Sequence, residues 1–200
     1  MRDGNGRFVQ NVRSVESLLS HSARRSLVNA QAPIAVVLSC ADSRAPAELV
    51  FDQGLGDLFV VRVAGNVVAP SLVGSVEFAV TSFGTELVVV MGHTHCGVIA
   101  ATVDGLVAGK AFSANISDII DRIRPAIEHV VRPLPSVSGP VDRAALLSAA
   151  TRANVRASAQ QLRRGSELLA DLSARGRVVV VGAEYSLETG DVDFFDGVPG

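Results

Sequence analysis

Short apolar runs rich in β-branched residues recur at residues 34–39, 58–63 and 86–91, each closed by glycine or polar residues. They are too short for ordinary helices and read as strands. Between them the apolar period changes. Residues 6–28 set Phe8, Val12, Val15, Leu18 and Leu19 near helical spacing, which predicts an N-terminal helix. Further helices are expected over 71–83, stopped by Gly84, from Gly97 onward, and over 118–131. Pro133, Pro135, Gly139 and Pro140 then punctuate the chain. Residues 142–174 are rich in Ala and Leu and read as helix with a break near Gly165, followed by a fourth strand over 177–181. Gly190 turns the chain into a short edge strand over 192–195. Strands alternating with helices imply an α/β fold: a mostly parallel sheet of four strands plus an edge strand, flanked by helices, with an extended N-terminal helix.

Composition narrows the function classes. The chain has 200 residues, enough to bury a substantial core as one domain, and 48% of them are hydrophobic with no Trp. Val- and Ala-rich runs suit strands covered on both faces. No apolar run approaches the roughly 20 residues of a membrane span. Residues 1–10 are polar and lack a signal-peptide core, which favours a cytoplasmic location. A net charge of −2 gives no electrostatic reason to expect nucleic acid or an anionic membrane as partner. Two cysteines make a poor disulfide framework, and a cytosol keeps thiols reduced.

Those two cysteines carry the chemistry. Cys40-Ala-Asp42-Ser-Arg44 follows the first strand, and His93-Thr-His95-Cys96-Gly97 follows the third. Ligands of an open parallel sheet gather outside the carboxyl ends of its strands, so both segments open at the same rim. Singly, each is ordinary: a lone Cys is usually a small buried hydrophobe, and His-x-x-Cys suits a thiol nucleophile with its base equally well. Together they offer two soft thiolates, an imidazole and a carboxylate, which is a zinc set. Cys40, His93 and Cys96 leave the fourth tetrahedral position to water or to Asp42. Alternation along an extended backbone would turn Cys40, Asp42 and Arg44 to one side. There Asp42 and Arg44 can form a charge-assisted, two-pronged pair that holds the carboxylate off the metal. His95, between ligands, is expected to face away from the metal.

These residues resemble the β-class carbonic anhydrases. The resemblance rests on residues 39–44 (Ser-Cys-Ala-Asp-Ser-Arg), 57–66 (Asp-Leu-Phe-Val-Val-Arg-Val-Ala-Gly-Asn) and 92–97 (Gly-His-Thr-His-Cys-Gly). Residues 4–8 (Gly-Asn-Gly-Arg-Phe) and 181–185 (Val-Gly-Ala-Glu-Tyr) also fit, so the likeness runs over nearly the whole chain. It implies that Cys40, His93 and Cys96 are constant zinc ligands, one zinc per chain, with Asp42 the switching carboxylate and Arg44 its partner. It further implies that Gln31 hydrogen-bonds substrate, that Phe59, Ala64 and Phe78 line a small apolar pocket, and that Gly97 borders it. Phe78 stands where many plant-type members carry Tyr, and Val63 replaces an Asn. Arg62 and Tyr185 match two of three residues with which some bacterial members bind inhibitory bicarbonate; the third, a Trp, is Val37 here.

The reaction so implied is reversible hydration of carbon dioxide to bicarbonate and a proton, by attack of zinc-bound hydroxide. Hydrolysis of a sulfur analogue, carbon disulfide or carbonyl sulfide, would use the same ligands. A non-catalytic zinc or bicarbonate sensor is a third reading, against which Gln31, Asp42 and Arg44 argue. Family members assemble as homodimers or homotetramers with sites between subunits, which puts the helical arm of residues 1–30, around Phe8, Val12 and Leu19, at an interface.

Overall fold

The structure is a computed structural model that describes residues 1–12, 21–131 and 142–199. Five strands form one mixed sheet: β1 (Ala35–Ser39), β2 (Leu58–Arg62), β3 (Leu87–His93), β4 (Val179–Tyr185) and β5 (Val192–Asp196). Their order is β2-β1-β3-β4-β5. All neighbours are parallel except β5, which runs antiparallel to β4.

The central strands are buried on both sides, which is why they read as unbroken apolar runs. Val36, Leu38, Val88 and Val90 turn to one face and pack with Val76, Ala79, Val155, Ala159 and Leu162. Val37, Val89, Met91, Val181 and Ala183 turn to the other, with Val50 and Phe51. Each such Val contributes about 1.5–3 kcal/mol on burial. The first face is covered by α4 (Pro70–Phe83), α7 (Arg143–Gly165) and α8 (Glu167–Ala174). The second is covered by α1 (Arg2–Val9) and the short α3 (Ala47–Val50), the latter not foreseen from the sequence. A third cluster joins α5 (Gly97–Ala108), α6 (Ala114–Val131) and α7 beside the carboxyl end of the sheet; Cys40 and Cys96 belong to it.

The helix expected over 71–83 spans Pro70–Phe83 with Gly84 as its left-handed cap, and the break near Gly165 falls at Ser166. Asp142 caps α7 through the amides of Ala144 and Ala145, and the Ser166 hydroxyl caps α8. Two expectations need correction. The fourth strand is Val179–Tyr185 rather than 177–181, because Gly182 and Ala183 continue the ladder to Met91 that their weak strand propensity hid. The N-terminal segment is not one helix over 6–28. α1 ends at Val9, Asn11 adopts a left-handed conformation (φ 55°), and α2, among the described residues, is His21–Ser26. Val15, Leu18 and Leu19, and the Pro133, Pro135, Gly139 and Pro140 cluster, lie outside the described residues.

α1 docks on its own chain. Buried Asn5 donates to the carbonyls of Val50 (3.1 Å) and Gly190 (2.8 Å) and accepts from the Val192 amide (2.9 Å). Gly4 lets the helix approach: a Cβ there would stand 1.9 Å from the Phe51 carbonyl oxygen. Arg7 pairs with Asp52, and the Phe8 ring lies 6.3 Å from that of Tyr185. No helix among the described residues is long and apolar enough to cross a membrane.

Candidate metal centre

The carboxyl ends of β1 and β3 deliver the donors. Cys40 follows β1 directly, His93 is the last residue of β3, and Cys96 is the N-cap of α5. The Sγ atoms of Cys40 and Cys96 and a ring nitrogen of His93 all lie within 4.8 Å of one another. All three side chains are buried, with exposures of 4%, 5% and 1%.

The residues fit a zinc ion. The Sγ–Sγ distance is 4.0 Å, where a tetrahedral ion with Zn–S bonds of about 2.3 Å separates two sulfurs by about 3.8 Å. His93 Nδ1 donates to the Thr94 carbonyl (2.8 Å), which leaves the lone pair on Nε2 facing the sulfurs. That Nε2 is buried and has no hydrogen-bond partner, so a cation would satisfy it. The hydrogen bond from Cys96 holds the Cys40 thiol well below its ordinary value, helped by His93 and by the amides of Gly65 and Asp42. Cys96 is correspondingly pushed up, by its bond to Cys40 and by burial. The two sulfurs share a proton that a dication would displace.

Beside this cluster, Asp42 and Arg44 form the expected pair, but a turn rather than an extended strand brings them together. Beyond Ser39 the chain leaves the sheet, and the Ala45 amide donates to the Asp42 carbonyl (3.1 Å). The Arg44 amide donates to Asp42 Oδ1 (2.9 Å), while its guanidinium donates to Oδ1 (3.0 Å) and Oδ2 (2.8 Å). Oδ2 stands 3.9 Å from His93 Nε2. The Arg44 hydrogen bond holds the Asp42 carboxyl well below the usual carboxylate range.

Several supports were missed in the sequence. Arg62 donates to the carbonyls of Cys40 (3.0 Å) and Asp42 (2.6 Å), pinning the loop that carries both residues. Gly65 is left-handed (φ 72°), and its amide donates to Cys40 Sγ (3.3 Å). A Cβ on Gly65 would meet Val98 at 2.7 Å and Ile123 at 2.9 Å. Asn154 holds the Gly65 carbonyl (2.8 Å). His95 is exposed as expected and bonds to Glu188. Arg62 was read in the sequence only as a match to a bicarbonate-binding residue, not as the clamp on this loop; Glu188, 93 residues beyond His95, left no signal.

The family model described as carbonic anhydrase matches residues 35–192. The carbonic anhydrase of Mycolicibacterium smegmatis is 38% identical over 193 residues, covering 96% of this chain and 89% of that protein. The chain belongs to the β-class carbonic anhydrases. Carbonic anhydrase 2 of Mycobacterium tuberculosis is 34% identical, over 95% of this chain and 87% of its own. Among solved structures, the β-carbonic anhydrase CcaA shares the fold with a TM-score of 0.78 at 23% identity, over 89% of this chain and 86% of that one. The enzyme family hydrates CO2, and the Cys40–His93–Cys96 cluster is the zinc site typical of it.

The remaining predicted site residues separate into two groups. Ala64 opens a 3-10 turn (Ala64–Asn66) beside Cys40, and Gly97 begins α5 next to Cys96. Gln31, Phe59 and Phe78 lie elsewhere. Phe59 pairs in register with Val36, four positions before Cys40, about 13 Å back along the strand. Its ring lies 6.3 Å from Phe78 and 6.0 Å from Phe83. Gln31 and Phe83 line an open cavity of about 620 Å³ together with Leu27, Val28 and Leu55. These residues do not converge on the metal cluster of their own chain.

Proposed function

We propose that this enzyme carries out reversible CO2 hydration with Asp42, held by Arg44, as the group that orients the attacking water, and with Gln31, Phe59 and Phe78 serving the centre of a second copy. The observation that carries this is the convergence of three donor atoms within 4.8 Å beside a carboxylate whose two oxygens are both engaged by one guanidinium. Bound zinc supplies Lewis acidity that makes water a nucleophile near neutral pH. With zinc held by Cys40, His93 and Cys96, an ionised Asp42 would accept a hydrogen bond from the attacking water and orient it towards the carbon of CO2. Arg44 keeps the carboxylate in place and away from the metal position; losing the pair frees Asp42 to compete there. Val67 and Ile99, clustered with Cys40 and Cys96, keep one side of the centre apolar.

Assembly follows from the misplaced pocket residues. Phe78 is 54% exposed, Ile34 54%, Leu55 50% and Val28 75%, an apolar surface suited to a second copy. The two β-carbonic anhydrases of Sordaria macrospora, with the same fold (TM-score 0.75), are tetrameric. A dimer or a dimer of dimers completes the pocket. A reducing compartment, the cytoplasm, suits a centre built on two thiols. Metal analysis and stopped-flow CO2 hydration test the reading. About one zinc per chain and robust turnover are expected, with both lost in Cys96→Ser; a wild type that binds zinc yet hydrates only a sulfur analogue would favour the hydrolase reading.

A further inference from the structure

We propose that Glu188 is a positioning residue for the Asp42–Arg44 pair, acting through Thr94 and the backbone of His95. The inference rests on the reading of Asp42 and Arg44 given above. His95 lies between two metal ligands and adopts a left-handed conformation (φ 55°) that a side chain with a Cβ rarely takes. Such a conformation persists only where its surroundings hold it.

Glu188, in the turn between β4 and β5, supplies that hold. One carboxylate oxygen accepts a hydrogen bond from His95 Nε2. The other accepts from Thr94 Oγ1 (2.8 Å) and from the Ser186 hydroxyl (3.1 Å). Thr94 is gripped from two further directions: its hydroxyl accepts from the Leu187 amide (2.9 Å), and its own amide donates to the Tyr185 carbonyl (2.9 Å). The turn is fixed in its own right by Ser186, whose amide donates to the Asp191 carbonyl and whose carbonyl accepts from Gly190.

On its other side His95 meets Arg44. The His95 carbonyl accepts from the same terminal guanidinium nitrogen (3.3 Å) that donates to Asp42 Oδ2. The guanidinium is therefore anchored at two points, the carboxylate and a carbonyl aimed by the left-handed turn. Without Glu188, His95 is free to relax to an ordinary conformation, which turns that carbonyl away and leaves Arg44 with Asp42 alone. Glu188 reaches no metal ligand directly; it acts on the pair that faces the reacting water.

The test compares wild type, Glu188→Ala, Glu188→Gln and Arg44→Ala, each loaded with zinc for kinetics and with cobalt(II) for visible spectroscopy. Both Glu188 variants should keep full metal content, because the ligands are untouched. Glu188→Ala is expected to lower kcat roughly tenfold, within the range for groups that orient a metal centre from outside. Its cobalt spectrum should move towards that of Arg44→Ala. Glu188→Gln retains an acceptor oxygen for Thr94 and should recover most of both signals. A Glu188→Ala protein with wild-type kcat and a wild-type cobalt spectrum overturns the proposal. Loss of metal or of thermal stability in proportion to kcat, without rescue by Gln, would show a merely structural role and overturn it equally. A wild type without CO2 hydration would instead contradict the reading of the reaction, and the cobalt comparison would still decide the link from Glu188 to Arg44.

Discussion

The carboxyl end of the sheet and the flank around Gln31 share the same strands and differ in what they complete. At the carboxyl end, Cys40, His93 and Cys96 are buried, and the loops that carry them are closed by bonds within one chain: Arg62 to the Cys40 carbonyl, Gly65 to its sulfur, Arg44 to Asp42. On the flank, Phe78 is 54% exposed and packs edge-on to Phe83 at 5.5 Å, with Ile34, Leu55 and Val28 also turned outward. Polar groups satisfied internally make a centre that stands alone. Large apolar side chains left outward call for something to cover them. Metal binding is thus a property of one chain, and the substrate pocket is proposed as a property of two.

The contrast breaks most visibly at Arg44. Arg44→Ala should lower turnover by about 10–100-fold while zinc content stays near one per chain, because the change touches orientation rather than ligation. Arg44→Lys should recover only part, since an ammonium cannot engage both carboxylate oxygens in a plane. The stability effect has a defined sign. A carboxyl held below its ordinary range stabilises the fold above about pH 4 and loses that contribution as pH falls. The melting point of Arg44→Ala should therefore trail wild type slightly at neutral pH and converge with it in strong acid. A difference that grows on acidification would contradict the pair.

A charge on the flank should act differently. Phe78→Asp is expected to shift sedimentation towards a single chain and to lower hydration by about tenfold, with zinc retained, because an unpaired carboxylate cannot be buried cheaply. Full activity in a single-chain form would end the division proposed here. The smallest change in chemistry is Gly65→Ala. It places a Cβ 2.7 Å from Val98 in a left-handed turn, and should cost about 1–3 kcal/mol of stability in thermal melts. Its effect on zinc affinity should exceed its effect on the flank, because the Gly65 amide serves Cys40.

What could be read in the sequence followed the same division. Cys40, His93 and Cys96 were legible because strand-end placement depends on local apolar period, and two short motifs at two strand ends can meet only at one rim. The helix over 71–83 was legible up to Gly84, and the helical stretch over 142–174 was legible from its Ala and Leu content with a break near Gly165, where α7 ends. The extended-strand geometry for Asp42 and Arg44 failed because the side chain of Asp42 captures the Arg44 amide and bends the chain, a local competition that residue types allow but alternation does not show. The continuous N-terminal helix failed where Asn11 turns left-handed and α1 is instead fastened by Asn5 to Gly190 and Val192, partners about 185 residues away. Glu188 escaped for the same reason. Long-range hydrogen bonds leave no period in the sequence.

The division of labour can be tested in one mixed assembly. Cys96→Ser removes the metal centre but leaves the flank intact, and Gln31→Ala does the reverse. Each alone should hydrate CO2 far more slowly than wild type. Tag-selected heterodimers of the two contain, if the flank serves the other chain, one complete site, and should show about half the wild-type rate. Heterodimers no faster than either parent would mean that Gln31 serves its own chain, and would contradict the account.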